Sequence, residues 1–374
     1  MWQRVCEPSS VPGDGAAASS SIAPAGYGGE CEVLNGAGSS SRFPRKSEKQ
    51  LTLRTPRPMS VHPGAAVPTP SGQLPGQETA RGLRAVILLA GRVGRNPLAD
   101  GVVRSVLDLP VGSERTVLDV WSERFGALVG AFGLPRLEVV VAVDRNGTLP
   151  RLPQPGKHAG VDFTIVRDSS EYRGTAGVVK DLTREYDEDA RVLVVTGNQI
   201  LREPLADVFA AFGDAGEGVS VVPHAGSDLA AMFLLRCGRL REVADVGFVD
   251  LKEQAIPATR DREALSVARR PADSTLPIRT LREYIGALRA IHAVSDVPGA
   301  ATATGNPFAE SWKPMFSIVE PGAYVSPGAV LQDAVVLSGG FVEEGAAVAR
   351  SVVCEHGVVP KGRCVVEKIV TSRS

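Results

Sequence analysis

The chain has 374 residues, 43% of them hydrophobic, which is enough for two domains and a sizeable core. Its formal net charge of −1 argues against a nucleic-acid partner, because no overall positive charge attracts a phosphate backbone. The five cysteines lack metal-ligand spacing, and the apolar runs are too short to cross a bilayer. There is also no apolar signal segment, so we expect a cytoplasmic protein with reduced thiols and no membrane association.

The first 82 residues differ in composition from the rest of the chain. Residues 1–82 are rich in Gly, Pro, Ser and Ala and show neither helical nor strand periodicity. Such a segment buries too little apolar surface to offset the entropy lost on ordering, so it is predicted to be disordered. The remaining boundaries are predicted at 83–295 for an α/β domain, 296–316 for a linker and 317–374 for a β-helix.

Short, continuous apolar runs alternate with helical patterns in the α/β segment. Such runs are typical of parallel strands buried on both faces, and their alternation with helices predicts a parallel sheet between helical layers. The predicted strands are Arg84–Gly91, Leu137–Val143, Phe163–Val166, Val192–Val195 and Val219–Val222. The predicted helices are Thr116–Phe132, Ala176–Tyr186, Leu205–Phe212, Gly238–Asp245, Asp250–Thr259 and Thr280–His292.

A six-residue repeat begins near Ile318. Pro321–Ala323 recurs as Pro327–Ala329. Aliphatic residues lie six apart and, after a one-residue slip, continue at similar spacing; the first four are Val319, Val325, Leu331 and Leu337. A hexapeptide period predicts a parallel β-helix, here three coils of about 18 residues each. The alternative is an ordinary Val-rich meander with glycine turns.

Two glycine-containing turns follow predicted strands. The first is residues 89–95, Leu-Ala-Gly-Arg-Val-Gly-Arg, and the second is Gly174–Gly177, Gly-Thr-Ala-Gly. Glycine turns at strand ends place backbone N–H groups where phosphate oxygens can accept hydrogen bonds. Taken alone, such a loop is about as often a simple strand-to-helix turn.

The order of motifs resembles that of the sugar-nucleotide pyrophosphorylases, also called sugar-1-phosphate nucleotidyltransferases. Leu-Ala-Gly, Gly-Arg, Pro-Leu, a basic residue and Leu-Pro-Val follow one another between residues 89 and 111. Four more segments match family landmarks in the right order: residues 174–177, 196–198, 250–257 and 279–284. Several members of this family also carry a hexapeptide β-helix.

The resemblance implies both a fold and a reaction. The implied fold is a Rossmann-like nucleotide-diphospho-sugar transferase domain, a three-layer α/β/α structure with a mainly parallel sheet, followed by a short left-handed parallel β-helix. The implied reaction is attack of a sugar-1-phosphate on the α-phosphate of an NTP, which forms an NDP-sugar and releases pyrophosphate. In the family, Mg²⁺ held by two aspartates bridges the reacting oxygens.

The resemblance also assigns roles to individual residues. The implied nucleotide-binding positions are Leu89, Ala90, Gly91, Gly94, Gly174, Thr175 and Gly197. Arg95 and Arg104 would be the catalytic cations, and Lys252 would bind the sugar phosphate. Asn198 stands where the family has its first metal aspartate.

The match fails at the metal site. Asn198 provides a neutral amide, and the second metal aspartate is replaced by Pro277. Asp144 or Asp273 would be the relocated carboxylate; the alternative is that these are a turn residue and a solvated loop residue. The connection after Val222 is also short, so the layer that faces the sugar is predicted to be trimmed. A Mg²⁺-dependent mechanism is therefore doubtful.

The sequence leaves other functions open. A catalytically degenerate homologue that acts as a regulatory or scaffolding subunit is the main alternative to an enzyme. His356 is the candidate base of an acyltransferase, although a single histidine here is more often a coil-corner residue. Trp312 and Phe316 are predicted to seat the β-helix on the α/β domain. The open edges of the β-helix predict a homo-oligomer.

Overall fold

The computed structural model describes residues 3–4, 76–90, 97–154, 156, 159–168, 173–213, 218–222, 230–260, 266–293 and 316–372. All of them belong to one compact unit. Trp312 and most of the predicted linker lie outside these residues. No helix within the described ranges is long and apolar enough to cross a membrane.

Ten strands belong to the described residues of the α/β part. They are β1 (Gln3–Arg4), β2 (Leu83–Leu89), β3 (Leu137–Val143), β4 (Val161–Arg167), β5 (Arg191–Thr196), β6 (Gln199–Leu201), β7 (Gly218–Val222), β8 (Ala230–Arg236), β9 (Ser266–Arg269) and β10 (Thr275–Pro277). Eight of them form one sheet in the order β1-β4-β3-β2-β5-β8-β7-β9, and β6 pairs with β10 in a separate antiparallel ribbon. The order of the strands reverses between β2 and β5, because β3 and β4 lie on one side of β2 and β5 lies on the other.

Helices cover both faces of the sheet. They are α1 (Gln77–Arg81), α2 (Pro97–Val102), α3 (Val117–Phe132), α4 (Gly174–Leu182), α5 (Leu205–Phe212), α6 (Cys237–Arg241), α7 (Ile256–Arg260) and α8 (Leu281–Ala293). Alternate residues of β2 pack into two separate clusters, one with α3, α5 and α8 and the other with α4 and α6. The expected three-layer α/β/α arrangement is therefore observed.

Several sequence predictions require correction. The sheet is mainly parallel as predicted, but β8 runs antiparallel to both β5 and β7, and β1 runs antiparallel to β4. The helix predicted over Asp250–Thr259 is a π-helical turn, Leu251–Ala255, followed by α7. Order begins before residue 83, because α1 buries Thr79 and Ala80 against the α/β core. The composition of the segment does not indicate that these two side chains are buried.

The hexapeptide region forms three parallel sheets, visited in turn by ten short strands. They are β11 (Ser317–Val319), β12 (Tyr324–Val325), β13 (Val330–Gln332), β14 (Ala334–Val336), β15 (Phe341–Val342), β16 (Ala347–Ala349), β17 (Val352–Val353), β18 (Val358–Val359), β19 (Cys364–Val366) and β20 (Ile369–Val370). This is the arrangement of a three-sided β-helix. Each coil has 17 residues rather than 18, since Ser317 pairs with Ala334 and Tyr324 with Phe341.

One outer face of the β-helix packs against the core of the α/β part. Val336, not Leu337, continues the inward-facing series, and Leu337 packs into the α/β core instead. Phe316 is buried and stacks on His292 of α8 at 5.6 Å, as predicted for a residue that seats the β-helix. Arg289 of α8 also donates from Nε to Asp333 over 2.8 Å.

Candidate functional site

The carboxyl ends of β2, β3 and β5 meet at one edge of the sheet. The N–H of Ala90 donates to the carbonyl of Ala142 over 2.8 Å, and the N–H of Gly197 donates to that of Leu89 over 2.8 Å. In open α/β sheets, ligands bind beside strand ends of this kind, where the order of the strands reverses. The amides of Ala90 and Gly197 are already bonded within the protein, so these N–H groups are not available to the nucleotide that both residues were predicted to bind.

Gly197 allows two segments to approach closely. A Cβ at this position would lie 2.9 Å from the side chain of Leu107 and 3.2 Å from the carbonyl oxygen of Leu89. Both distances are shorter than a comfortable van der Waals contact. The glycine of this motif therefore has a packing role at the strand end.

Ala90, at this edge, is the last described residue at the start of the predicted phosphate loop. Gly91, Gly94 and Arg95 lie outside the described residues. The chain leaves the sheet at Ala90 and is described again from Pro97, where α2 begins. The N–H of Leu98 donates to the carbonyl of Arg279 over 3.1 Å, which fixes the far end of the loop.

A capping box holds Arg279 in place. Glu283 accepts from the backbone N–H of Arg279 over 2.9 Å and of Thr280 over 3.2 Å, while Thr280 accepts from the N–H of Glu283. Burial raises the pKa of Glu283, but the hydrogen bonds from Arg279 and Thr280 outweigh it and the pKa is lowered. The start of α8 is thereby fixed as an anchor for the loop.

The two positions that the resemblance assigns to metal aspartates are neighbours in the structure. The N–H of Ile278 donates to the carbonyl of Asn198 over 2.9 Å, and Pro277 lies opposite Gln199 in the β6–β10 ribbon. Trp121 of α3 donates to the carbonyl of Gln199 over 3.1 Å and fixes this ribbon to the core.

The donors at this place do not fit Mg²⁺. Asn198 offers an uncharged amide oxygen and Pro277 offers no side-chain ligand, whereas magnesium sites use carboxylates together with phosphate and water oxygens. Across the described part of the chain, no cluster of three or more His, Cys, Asp or Glu residues has metal-binding geometry. No catalytic step is therefore assigned to a metal at this position.

A second group of predicted residues lies at the start of α4. Gly174 has a φ of +68°, and a Cβ there would lie 2.4 Å from the carbonyl oxygen of Val249. The hydroxyl of Thr175 donates to Asp250 over 3.0 Å and accepts from the N–H of Leu251 over 2.8 Å. The Gly-Thr turn is thus joined directly to the segment that carries Lys252.

Lys252 lies on the exposed side of the first turn after that junction. Its backbone N–H donates to the carboxylate of Asp250 over 2.8 Å, and its side chain is exposed. Asp250 therefore caps this turn and contacts Thr175 as well, a role that we did not predict. The predicted nucleotide-binding turn at Gly174 and Thr175 and the segment that carries Lys252 therefore form one hydrogen-bonded unit.

A cavity of about 220 Å³ lies beside the end of β2. Its lining includes Ala90, Arg104, Asp144, Asn146 and Thr148. It therefore brings Ala90 together with one of the two predicted catalytic arginines, Arg104. The turn that forms one wall starts at Asp144, whose carbonyl accepts from the N–H of Gly147 over 3.0 Å.

Arg104 is held by the β-helix. Its Nη1 donates to both carboxylate oxygens of Glu320, over 2.7 and 2.9 Å. Nearby, burial raises the pKa of Asp108, against the lowering effects of the bond from the N–H of Arg151 and of the charge on Arg104. The sequence did not indicate a contact of Arg104 with the β-helix.

The remaining candidates have structural explanations. Asp273 is an exposed loop residue, with its carboxylate 3.5 Å from Arg202. His356 lies at a coil corner with a φ of +63° and a side chain that is 86% exposed. An exposed corner residue does not have the neighbours that a catalytic base needs.

A larger cavity of about 840 Å³ lies on the α4 side of the sheet. Its lining includes Arg84, Glu138, Arg173, Asp181 and Tyr186, and none of the predicted site residues. Four of its charged residues form two ion pairs, Arg84 with Glu138 at 3.2 Å and Arg173 with Asp181 at 2.8 Å. The smaller cavity, which holds Ala90 and Arg104, is therefore the candidate site.

Comparison with known proteins gives weak similarity. No protein-family model matches the chain, and no curated protein does. A homologue of Mycobacterium tuberculosis Rv0371c, from Mycobacterium sp. strain JC1, is similar over 57% of this chain and 99% of its own, with 17% identity and a TM-score of 0.38. HddC from Yersinia pseudotuberculosis is similar over 56% of this chain and all of its own, with 11% identity and a TM-score of 0.37. Both TM-scores are too low for the similarity to support a ligand or an activity.

Proposed function

We propose that the chain binds an NTP or an NDP-sugar at the carboxyl edge of β2, β3 and β5. One observation carries the proposal: three backbone hydrogen bonds gather motif segments that are distant in sequence. These bonds join Gly197 to Leu89, Ile278 to Asn198 and Leu98 to Arg279. Amides of residues 91–96, at the end of β2, would hold the phosphates.

The nominal reaction of such a site is nucleotidyl transfer. A phosphate oxygen of a sugar-1-phosphate attacks the α-phosphate, the bond to the β-phosphate breaks, and pyrophosphate leaves. The reaction depends on positioning and on neutralisation of charge. Arg95 and Arg104 would neutralise the triphosphate, and Lys252 would hold the sugar phosphate.

A second function is favoured by the absence of carboxylates at positions 198 and 277, which are Asn198 and Pro277. The chain would bind a nucleotide but transfer it slowly, and would act as a regulatory or scaffolding subunit. Because the β-helix shares a core with the α/β part, a ligand at the sheet edge is well placed to influence the β-helix.

Nucleotide binding is tested by thermal unfolding with each NTP and common NDP-sugars, with and without Mg²⁺. A ligand at 100 times its Kd adds about 2.7 kcal/mol to stability. Gly91→Val should abolish this gain while leaving the unliganded fold intact, because a side chain would push phosphate off the loop. An unchanged ligand effect in the variant would remove the loop from the site.

Transfer is tested separately by release of pyrophosphate with each NTP and sugar-1-phosphate. Nucleotide stabilisation without turnover would support the regulatory function. Turnover at ordinary enzyme rates would support the enzyme. If none of these nucleotides stabilises the protein, the proposed site is wrong.

A further inference from the structure

The guanidinium of Arg104 has only one of its nitrogens engaged. Nη1 donates to Glu320, while Nε and Nη2 make no hydrogen bond to any residue that the structure describes. The arginine lines the 220 Å³ cavity together with Ala90, at the start of the predicted phosphate loop. Arginine binds phosphate through parallel N–H groups, and two such donors remain here.

Glu320 is itself fixed. Its Oε2 accepts from the backbone N–H of Ser338, on the next coil, over 2.8 Å. The side chains of Arg104 and Glu320 are only 19% and 13% exposed, so solvent screens the pair weakly. The carboxylate therefore holds Nη1 in one place.

Other carboxylates surround the same cation. Asp100 and Asp144 line the cavity with Arg104, and Asp108 is close enough for the charge of Arg104 to affect it. Without Glu320, the guanidinium would turn towards these carboxylates and its remaining donors would be used by the protein.

We propose that Glu320 is a positioning residue of the nucleotide site, which holds Arg104 so that Nε and Nη2 face the triphosphate. The β-helix then completes the site instead of only extending the chain. This inference rests on the proposed nucleotide binding, but it makes a separate prediction about a residue outside the α/β motifs.

The test measures binding of inorganic tripolyphosphate and of each NTP by isothermal titration calorimetry. Glu320→Gln should weaken binding about tenfold, which is the loss of one charge-assisted contact. Glu320→Asp keeps the charge but is one methylene shorter, so it should restore part of the affinity. The double variant with Arg104→Gln should bind no more weakly than Arg104→Gln alone, because Glu320 acts through Arg104.

Asp333→Asn is the matched control. It also removes a carboxylate that joins the β-helix to an arginine of the α/β part, Arg289, but neither residue lines the cavity. Its affinity should equal that of the wild type. If Glu320→Gln fails to fold, the comparison of Glu320→Asp with the wild type replaces it, and weaker binding is again expected.

The possible failures are distinguishable. A wild type that binds neither tripolyphosphate nor any NTP overturns the proposed function and this inference together. Binding that is unchanged in Glu320→Gln, or additive losses in the double variant, overturns the inference alone. Tighter binding by Glu320→Gln would also overturn it, because the carboxylate would then compete with phosphate for Arg104.

Discussion

Gly174→Ala should destabilise the fold strongly, although alanine adds a single methyl group. Gly174 opens α4 with a φ of +68°, a conformation that costs a residue with a side chain about 1–2 kcal/mol. The new Cβ would lie 2.4 Å from the carbonyl oxygen of Val249 and 2.6 Å from its carbon. Both contacts are to backbone, which cannot turn away as a side chain can.

The total cost follows from these two effects. Forcing extra atoms into a packed position typically costs a further 1–3 kcal/mol or so. The free energy of unfolding should therefore fall by about 2–5 kcal/mol. Urea denaturation followed by circular dichroism measures this loss directly.

Gly177→Ala is the matched control from the same motif. Its new Cβ would meet only the side chain of Arg173, at 3.1 Å, and Gly177 does not have a positive φ. Alanine is also favoured over glycine inside a helix by about 1 kcal/mol. We expect this variant to stay within about 1 kcal/mol of the wild type. Equal stabilities for the two variants would refute the close-approach argument.

Three further predictions concern capping, coil corners and assembly. The pKa of Glu283 is lowered from its ordinary value of 4.5, so its carboxylate stabilises the fold at any pH above 4.5. This stabilisation is lost as the pH falls from 4.5 through the lowered pKa. Glu283→Gln should therefore be less stable at pH 7, and the difference from the wild type should shrink in acid unfolding titrations. His356→Gly should raise the unfolding free energy by about 0.5–1 kcal/mol by relieving a positive φ, whereas His356→Ala should not. Tyr324 and Phe341 stack at 4.6 Å on an exposed face of the β-helix, so replacing both with serine should weaken self-association in sedimentation; a monomeric wild type would exclude this oligomer.

The inner strands β2, β3 and β5 were predictable because they are almost fully buried. The Leu137–Val143 prediction matches β3 at both ends, and β2 has one exposed residue in seven. A continuous apolar run leaves few other places for such a segment. The direction of β8 was not predictable, because an antiparallel strand at the same depth has the same composition.

The β-helix shows how a small error in period changes the interpretation of residues. A strict six-residue count placed Leu337 inside, but the coils have 17 residues, with inward residues spaced six, six and five apart. One corner of each coil is therefore short, and Asp333, Arg350 and Glu367 adopt positive φ there. No glycine or proline marks this corner, so the pattern of small residues did not indicate it.

The candidate site was predictable as a set of motifs but not as a set of contacts. The order of glycine turns placed Leu89, Gly197 and Gly174 at strand ends or helix starts, as observed. The bond between Arg104 and Glu320 spans 216 residues and has no local signal. Pairing of two charged side chains depends on how the β-helix docks, which follows from the packing of whole faces.

Restoring the two carboxylates is the most direct test of whether the site has lost its chemistry. Asn198 directly precedes β6 and Pro277 ends β10, its pairing partner, and the ribbon of these two strands is fixed by Trp121. Asn198→Asp with Pro277→Asp would therefore place two negative charges side by side, the charge that a divalent cation requires. Loss of one electrostatic contact in a transition state typically costs about 10²–10³-fold in rate.

We expect pyrophosphate release by the wild type to lie near the detection limit and to rise by about 10²-fold or more in the double variant with Mg²⁺. Asn198→Asp alone is the control, and it should gain less because a single carboxylate binds the cation weakly. Calorimetry with Mg²⁺ separates metal binding from turnover. A double variant that binds Mg²⁺ and nucleotide yet releases no pyrophosphate would locate the defect elsewhere, as expected if the layer that faces the sugar is trimmed. Mg²⁺-dependent turnover by the wild type at ordinary enzyme rates would contradict the argument from Asn198 and Pro277, because the cation would then have to be held by other residues.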